Sequence, residues 1–215
     1  MSSCCRSTRD VTARQFDERR VRVELASYRK RGPGPTTRRL LEGLRSAGAA
    51  RGTLLDIGSG VGVLTFELLA AGCDSATCID LSPAALQVGG EEARRRGLGG
   101  RIVYQEGDFA EPGAQRPTAD LVALDRVVCC YPDLGPLLDA AARHSREFLA
   151  MSYPRDVWYV RLGFRCLNLV RGLGGNGFRI FLHPPERIAG ILSEAGFALV
   201  SRVATPVWSV DILRR

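Results

Sequence analysis

An acid followed by three glycines spaced two apart, in the run TLLDIGSGVG from Thr53 to Gly62, is the first chemistry this chain offers. An apolar strand that stops at Gly58, Gly60 and Gly62, and resumes as a helical run from Val61 to Ala71, leaves a turn without side chains. Its backbone N–H groups can approach a ligand closely, beside the positive end of the helix. Four carboxylates fall at the ends of successive apolar runs: Asp56, Asp80, Asp108 and Asp125. Ligands of open α/β sheets lie across the carboxyl ends of the strands, so these acids and the glycine turn should share one edge. Any one Asp after a strand can simply cap a turn, whereas four in register with the glycines point to a cofactor of nucleotide type.

The elements that must position them alternate. Strands are expected at 53–57, 76–80, 101–105, 119–125 and 147–153, with helices over 61–71, 83–96 and 135–146 between them. Ser82 is placed to cap the second of these helices, with Pro83 in its first position and Gly97 at its end. A helix capped by Thr36 or Thr37 should precede the first strand, its Leu40, Leu41 and Leu44 on one face. After the fifth strand the period is helical from Val157 to Leu173, with Arg161, Arg165, Asn168 and Arg171 on one face and Trp158, Leu162, Leu169 and Leu173 largely opposite. A helix at 185–195 follows, and 197–204 pairs with 207–213 as an antiparallel hairpin turned at Thr205 and Pro206. Strands alternating with helices in this way specify an α/β fold. The expected architecture is a Rossmann-like, seven-stranded, mostly parallel sheet with an antiparallel C-terminal hairpin and helices on both faces. Residues 1–35, polar and Arg-rich, read as an N-terminal arm or cap with a helix from about Thr12 to Tyr28; residues 36–215 read as the domain proper, with a lid-like insertion at about 154–184.

Composition narrows the partners. The 215 residues are 45% hydrophobic and 25% charged, ordinary for a soluble domain, but the net charge is +7 and Lys30 is the only lysine among 30 cations. Arginine forks suit carboxylates and phosphates. The start MSSCCRSTRD has no apolar run and no stretch is long enough to span a bilayer, so a cytoplasmic location is expected. Seven cysteines, with the neighbouring pairs Cys4/Cys5 and Cys129/Cys130, fit reduced thiols better than a secreted disulfide framework. Without a C-x2-C pair, and with only His144 and His183, no metal is expected.

The pattern acid-x-G-x-G-x-G resembles the first motif of class I S-adenosylmethionine-dependent methyltransferases, and the likeness covers roughly residues 36–213. It implies a methyltransferase with S-adenosyl-L-methionine as cofactor. Asp56, Gly58, Gly60 and Gly62 would cradle the methionine part and Asp80 both ribose hydroxyls. Asp108 would take the adenine amino group, with Leu81 and Phe109 packing on the ring, and Asp125 would lie near the amino-acid end and the sulfonium. Within that superfamily, LDRVVCCYPD (124–133), Tyr28, and FLHPP followed by a helix and Gly-Phe resemble magnesium-protoporphyrin O-methyltransferases and their small-molecule-methylating relatives. Where those enzymes have a His before Tyr-Pro this chain has Cys130, which implies a different substrate.

Methyl transfer from a sulfonium is an in-line displacement, so holding the reactants collinear in a dry pocket supplies most of the catalysis. A carboxylate acceptor, with an ordinary pKa of about 4, needs no strong base. A phenol or alcohol does, and Tyr28, Tyr131 and His183 are the candidates. Cys130 and Arg155 are expected at the acceptor, Arg155 meeting an acidic group on it. The helix at 157–173 reads as a lid over an apolar acceptor, or as a peripheral contact with an anionic membrane. The expected acceptor is a small molecule, acidic or aromatic, methylated at a carboxylate or phenol oxygen. The alternatives are a nucleic-acid methyltransferase, disfavoured by dispersed cations, a cofactor-binding protein without catalysis, and a nicotinamide-dependent oxidoreductase, disfavoured because Val63 stands where G-x-G-x-x-G has its last glycine.

Overall fold

A computed structural model describes residues 15–175 and 177–215. Cys4, Cys5, the start of the expected arm helix at Thr12–Arg14 and Asn176 lie outside the described residues. Seven strands form one sheet in the order β3-β2-β1-β4-β5-β7-β6. In chain order they are β1 Gly52–Ile57, β2 Cys73–Asp80, β3 Ile102–Glu106, β4 Ala119–Asp125, β5 Ser145–Pro154, β6 Ala198–Ala204 and β7 Trp208–Arg214. The first five run parallel; β7 enters antiparallel between β5 and β6. The order reverses between β1 and β4, which is the switch point where such sheets open a crevice.

Strand alternation sorts the side chains into two cores. Leu54, Leu121, Ala123, Phe148 and Ala150 face one way, while Leu55, Val122, Leu124, Leu149 and Met151 face the other. The first face is covered by α1 Glu18–Arg31, α2 Pro35–Ser46, α3 Val63–Ala71 and α4 Pro83–Arg95. The second is covered by α5 Leu134–His144 and α7 Pro185–Glu194. Between β5 and α7 stands α6, Trp158–Leu173. Ser82 caps α4 as its sequence implies, accepting from the Ala85 N–H at 3.1 Å. For α2 the expected threonine cap is replaced: Gly34 takes the cap position and Pro35 opens the helix, which frees Thr37 to point inward, where it is buried.

The described part of the N-terminal segment is built into the domain. Val21, Leu25 and Tyr28 of α1 join the first core cluster, and a buried ionic hub fixes the helix to α4. Glu92 is fully buried and accepts from Arg29 of α1 at 2.5 Å, from Arg95 at 2.6 Å and from Arg96 at 2.7 Å. Those three guanidinium groups, Arg95 foremost, hold its carboxyl well below the usual carboxylate range. A group with a depressed pKa stabilises the fold above its ordinary pKa and loses that contribution as pH falls. Glu92→Gln removes the charge from a site already buried, so a loss of on the order of 2 kcal/mol is expected once screening at the half-exposed arginines is allowed for. The checking measurement is limited trypsin digestion: α1 should be cut before the sheet in the variant, and both together in the parent.

Candidate functional site

The glycine turn closes around the end of β2. The N–H of Gly58 donates to the Ile79 carbonyl at 2.7 Å, and the N–H of Gly60 to Asp80 Oδ2 at 2.8 Å. Asp80 Oδ1 accepts from the Ser82 N–H, also at 2.8 Å. All three glycines have positive φ, and they differ in why. A Cβ on Gly58 would stand 2.4 Å from Val127 Cγ2, so this glycine lets the turn after β4 pack against the loop. Gly62, at φ 85°, caps α3 in the left-handed conformation. Gly60, at φ 54°, meets no described atom within 4 Å on its missing side chain's side. That face is the one a bound molecule can approach.

The four carboxylates share one edge, in three different states. Asp56 is buried beneath the loop and accepts from the Thr65 hydroxyl at 2.7 Å. Burial pushes its pKa up to about 7, opposed by that hydrogen bond and reinforced by Asp125 and Asp80. It therefore supports the turn from below and does not face a ligand. Asp80 is also raised, chiefly by burial, against the backbone N–H groups of Ser82 and Gly60. A carboxylate has about four acceptor sites, so these two bonds leave others for a ligand. Asp108 uses one oxygen, Oδ1, for both the Ala110 N–H and the Tyr131 hydroxyl, at 2.9 and 2.7 Å. Asp125 is occupied at both oxygens, by Ser152 Oγ on Oδ1 and Thr37 Oγ1 on Oδ2, each at 2.5 Å. These bonds show a brace of β4 against β5 and α2 where a place beside a sulfonium was expected.

Three further expectations change in the same way. Tyr28 does not join the site; its hydroxyl donates to Glu67 at 2.9 Å and accepts from Arg96, and burial with the Glu67 bond raises its pKa to about 12. Phe109 is buried in the second core, edge-on to His144 at 5.7 Å, so it is not free to cover a ring. Leu81, half-buried at the end of β2, remains beside Asp80. Arg155, expected to meet an acidic group, is tied to the hairpin turn through the Thr205 carbonyl at 3.2 Å.

Cys130 and Tyr131 lie in the field of Asp80. Burial and then Asp108 push the Tyr131 phenol well up, which makes it a proton donor to Asp108 and a poor base. The Cys129 and Cys130 thiols both point at the Arg126 carbonyl. Within this pair Cys130 is the more acidic, through its bond from Cys129 and the positive fields of Arg126 and Arg171. His183 is 7% exposed and its Nε2 lies 2.9 Å from the Tyr131 carbonyl oxygen. It fastens the segment before α7 to the turn after β4; Phe181 does the same through its N–H to the Cys129 carbonyl.

Two features carry no sequence signal of the kind used above. Arg126 has φ 62°, rare for a residue other than glycine. Its N–H donates to Ser152 Oγ, and its guanidinium reaches Glu24 of α1 at 3.7 Å. The other is the facing of α6. Asn168 clamps Ile180 by two hydrogen bonds and Arg171 is half-buried, while Trp158, Leu162, Leu169 and Leu173 are 55–82% exposed. An apolar lid face was expected to turn inward; Asn168 and Arg171 do so instead, while Arg161 and Arg165 stay exposed. Among the described residues no helix is long and apolar enough to cross a membrane.

The residues present fit a nucleoside-bearing cofactor: an open glycine face, a two-pronged carboxylate 20 residues on, and Asp108 with Oδ2 free of partners among the described residues. Comparison with known proteins agrees with the fold. Residues 54–147 match the family model described as "Methyltransferase domain". A ribosomal protein L11 methyltransferase of Escherichia coli is 34% identical over 137 residues, 62% of this chain and 44% of that protein. This chain therefore spans less than half the length of such curated relatives. Magnesium protoporphyrin IX methyltransferase from Synechocystis, solved with bound SAH, superposes with a TM-score of 0.66 at 22% identity, covering 84% of this chain and 82% of that one. An O-methyltransferase family protein from Burkholderia thailandensis gives 0.71 at 19% identity, over 94% and 61%. The resemblance to class I S-adenosylmethionine-dependent methyltransferases holds in sequence over the core and in fold over most of the chain.

The raised Asp56 allows a pH test. Its folded pKa lies above its unfolded value, so its contribution is fully present below about 4 and is lost as pH rises through 7. The melting temperature should fall between pH 5 and 8, and Asp56→Asn should flatten that fall; a parent-like slope in the variant overturns the assignment.

Proposed function

We propose that this chain, with its class I methyltransferase fold, binds S-adenosyl-L-methionine across Gly60, Asp80 and Asp108 and methylates a small molecule at oxygen. The observation that carries the reading is the Asp80 carboxylate, pinned by the Gly60 and Ser82 N–H groups at 2.8 Å each beside the open face of Gly60. Two backbone donors fix its plane, so its remaining lone pairs stand ready for vicinal hydroxyls. The cofactor, when bound, supplies an electrophilic methyl group on a sulfonium.

The chain's own residues do the positioning. Tyr131 orients Asp108 through Oδ1 and leaves Oδ2 for an amino group. The segment 177–184, fastened at Cys129 and Tyr131, and α6, clamped at Ile180, are the elements that would roof the cleft. With Tyr131 held as a donor and His183 giving its Nε2–H to a carbonyl, Nδ1 of a buried His183 is the strong base left beside this turn. The acceptor is then one already ionised, or one whose proton leaves through His183, Cys130 or Asp108. Likeness in fold to an O-methyltransferase family protein supports oxygen as the acceptor atom. A protein acceptor is the second reading, favoured by the curated relatives' name and the +7 charge.

Calorimetry with S-adenosylhomocysteine tests the cofactor assignment. Saturable one-site binding is expected, weakened at least tenfold by Asp80→Asn, a loss of about 1.4 kcal/mol. Binding of a nicotinamide dinucleotide in its place sinks the reading. Label from S-adenosylmethionine should appear in the small-molecule fraction of a lysate; label in protein or RNA transfers the reading to a macromolecular acceptor.

A further inference from the structure

The roof of the cleft carries cations where an apolar cover was expected. Arg171 of α6 places its guanidinium 5.2 Å from the Phe178 ring centre. Phe178 meets Phe16 edge-on at 5.9 Å, and Arg20 of α1 lies 5.7 Å from the Phe16 ring. An aromatic pair is thus bracketed by two guanidinium groups, one from α1 and one from α6. Phe16 is anchored at the cofactor end, since its carbonyl accepts from the Ser82 hydroxyl at 2.7 Å, one residue beyond the Asp80–Leu81 pair. Arg179 joins the group: a Cβ on Gly172 would stand 3.0 Å from its Nη2.

This arrangement opposes itself electrostatically. Arg171 Nη1 is buried and has no hydrogen-bond partner among the described residues. Burial and the positive fields of Arg20 and Arg179 act against it, partly offset by the Cys129 and Cys130 sulfurs. A buried guanidinium donor without an acceptor is costly. The nearby charge of Arg20 adds to that cost, which an anion would remove by two charge-assisted bonds to a guanidinium fork.

We infer that Arg171, with Arg20 opposite, forms an anion subsite that anchors a carboxylate of the methyl acceptor beside Cys130. This rests on the methyltransferase reading above and names the acceptor's class: a small organic acid with an aromatic or apolar body, which Phe16 and Phe178 would flank. The anchored carboxylate is a handle, because a carboxylate engaged by a guanidinium fork is a weakened nucleophile; the methylated oxygen is a second group of the same molecule.

The test uses the full chain saturated with S-adenosylhomocysteine and, as probes, benzoate, 3-phenylpropanoate and their neutral amides, followed by calorimetry. Acids should bind and the amides should bind roughly tenfold or more weakly. Arg171→Gln should weaken acid binding roughly ten- to hundredfold and Arg20→Gln less, with affinity for S-adenosylhomocysteine and circular dichroism unchanged. Equal binding of acids and amides, parent-like acid binding by Arg171→Gln, or no acid binding in a protein that does hold S-adenosylhomocysteine overturns the subsite. If S-adenosylhomocysteine fails to bind while Arg171-dependent acid binding persists, the cofactor reading falls and the subsite stands.

Discussion

The Asp80 carboxylate is the constraint on which the cleft depends. It is held by one N–H from the glycine turn and one from the start of α4, so a single side chain sets the distance between the two walls. The next residue but one continues the line, since the Ser82 hydroxyl both caps α4 and binds the Phe16 carbonyl. Phe16 then meets Phe178. Through this chain of contacts the end of β2 positions both the floor of the site and part of its roof.

The second brace is Asp125, and it works by a different principle. Ser152 and Thr37 each donate to one of its oxygens, and the same Ser152 hydroxyl oxygen accepts the N–H of Arg126 in its left-handed conformation. Such a conformation costs about 1–2 kcal/mol for a residue with a Cβ, and the hydrogen bonds around it offset that cost. Its effect is to turn the chain sharply after β4, so that Val127 fills the space beside Gly58 and both thiols of the Cys129–Cys130 pair reach the Arg126 carbonyl. An acid expected to serve chemistry directly serves it by shaping the turn that carries Cys130 and Tyr131.

What was legible in the sequence was whatever local pattern decides. Alternating strands, the Ser82-Pro83 cap and the glycines after Asp56 each act within a few residues, and the sheet and its closing hairpin follow from them. Asp80 and Asp108 were legible because strand ends and the glycine turn share a register. Pairings across the chain were not. Thr37 reads as a cap by its neighbours but meets a carboxylate 88 positions away. Tyr28 reads as a reactive phenol but finds Glu67 and Arg96. The period of α6 identifies which residues share a face; it does not say which face is wet, and here Asn168 and Arg171 turned inward because Ile180 and Phe178 offered them partners.

The distance along the chain between the two walls of the roof bears on how the protein comes into being. Phe16 and Phe178 meet although most of the sheet lies between them in sequence. Closing so long a loop is an entropic cost met only after nearer pairings have formed. During synthesis the parallel strands β1 to β4 and the helices over them can assemble while the partner of Phe16 has yet to emerge. The nascent chain therefore passes through a stage in which the cleft floor is built and unroofed, with the Phe16 ring still lacking its partner. Completion of the site is a late event of folding, set by the arrival of residues 168–183 and not by the glycine turn that opens it.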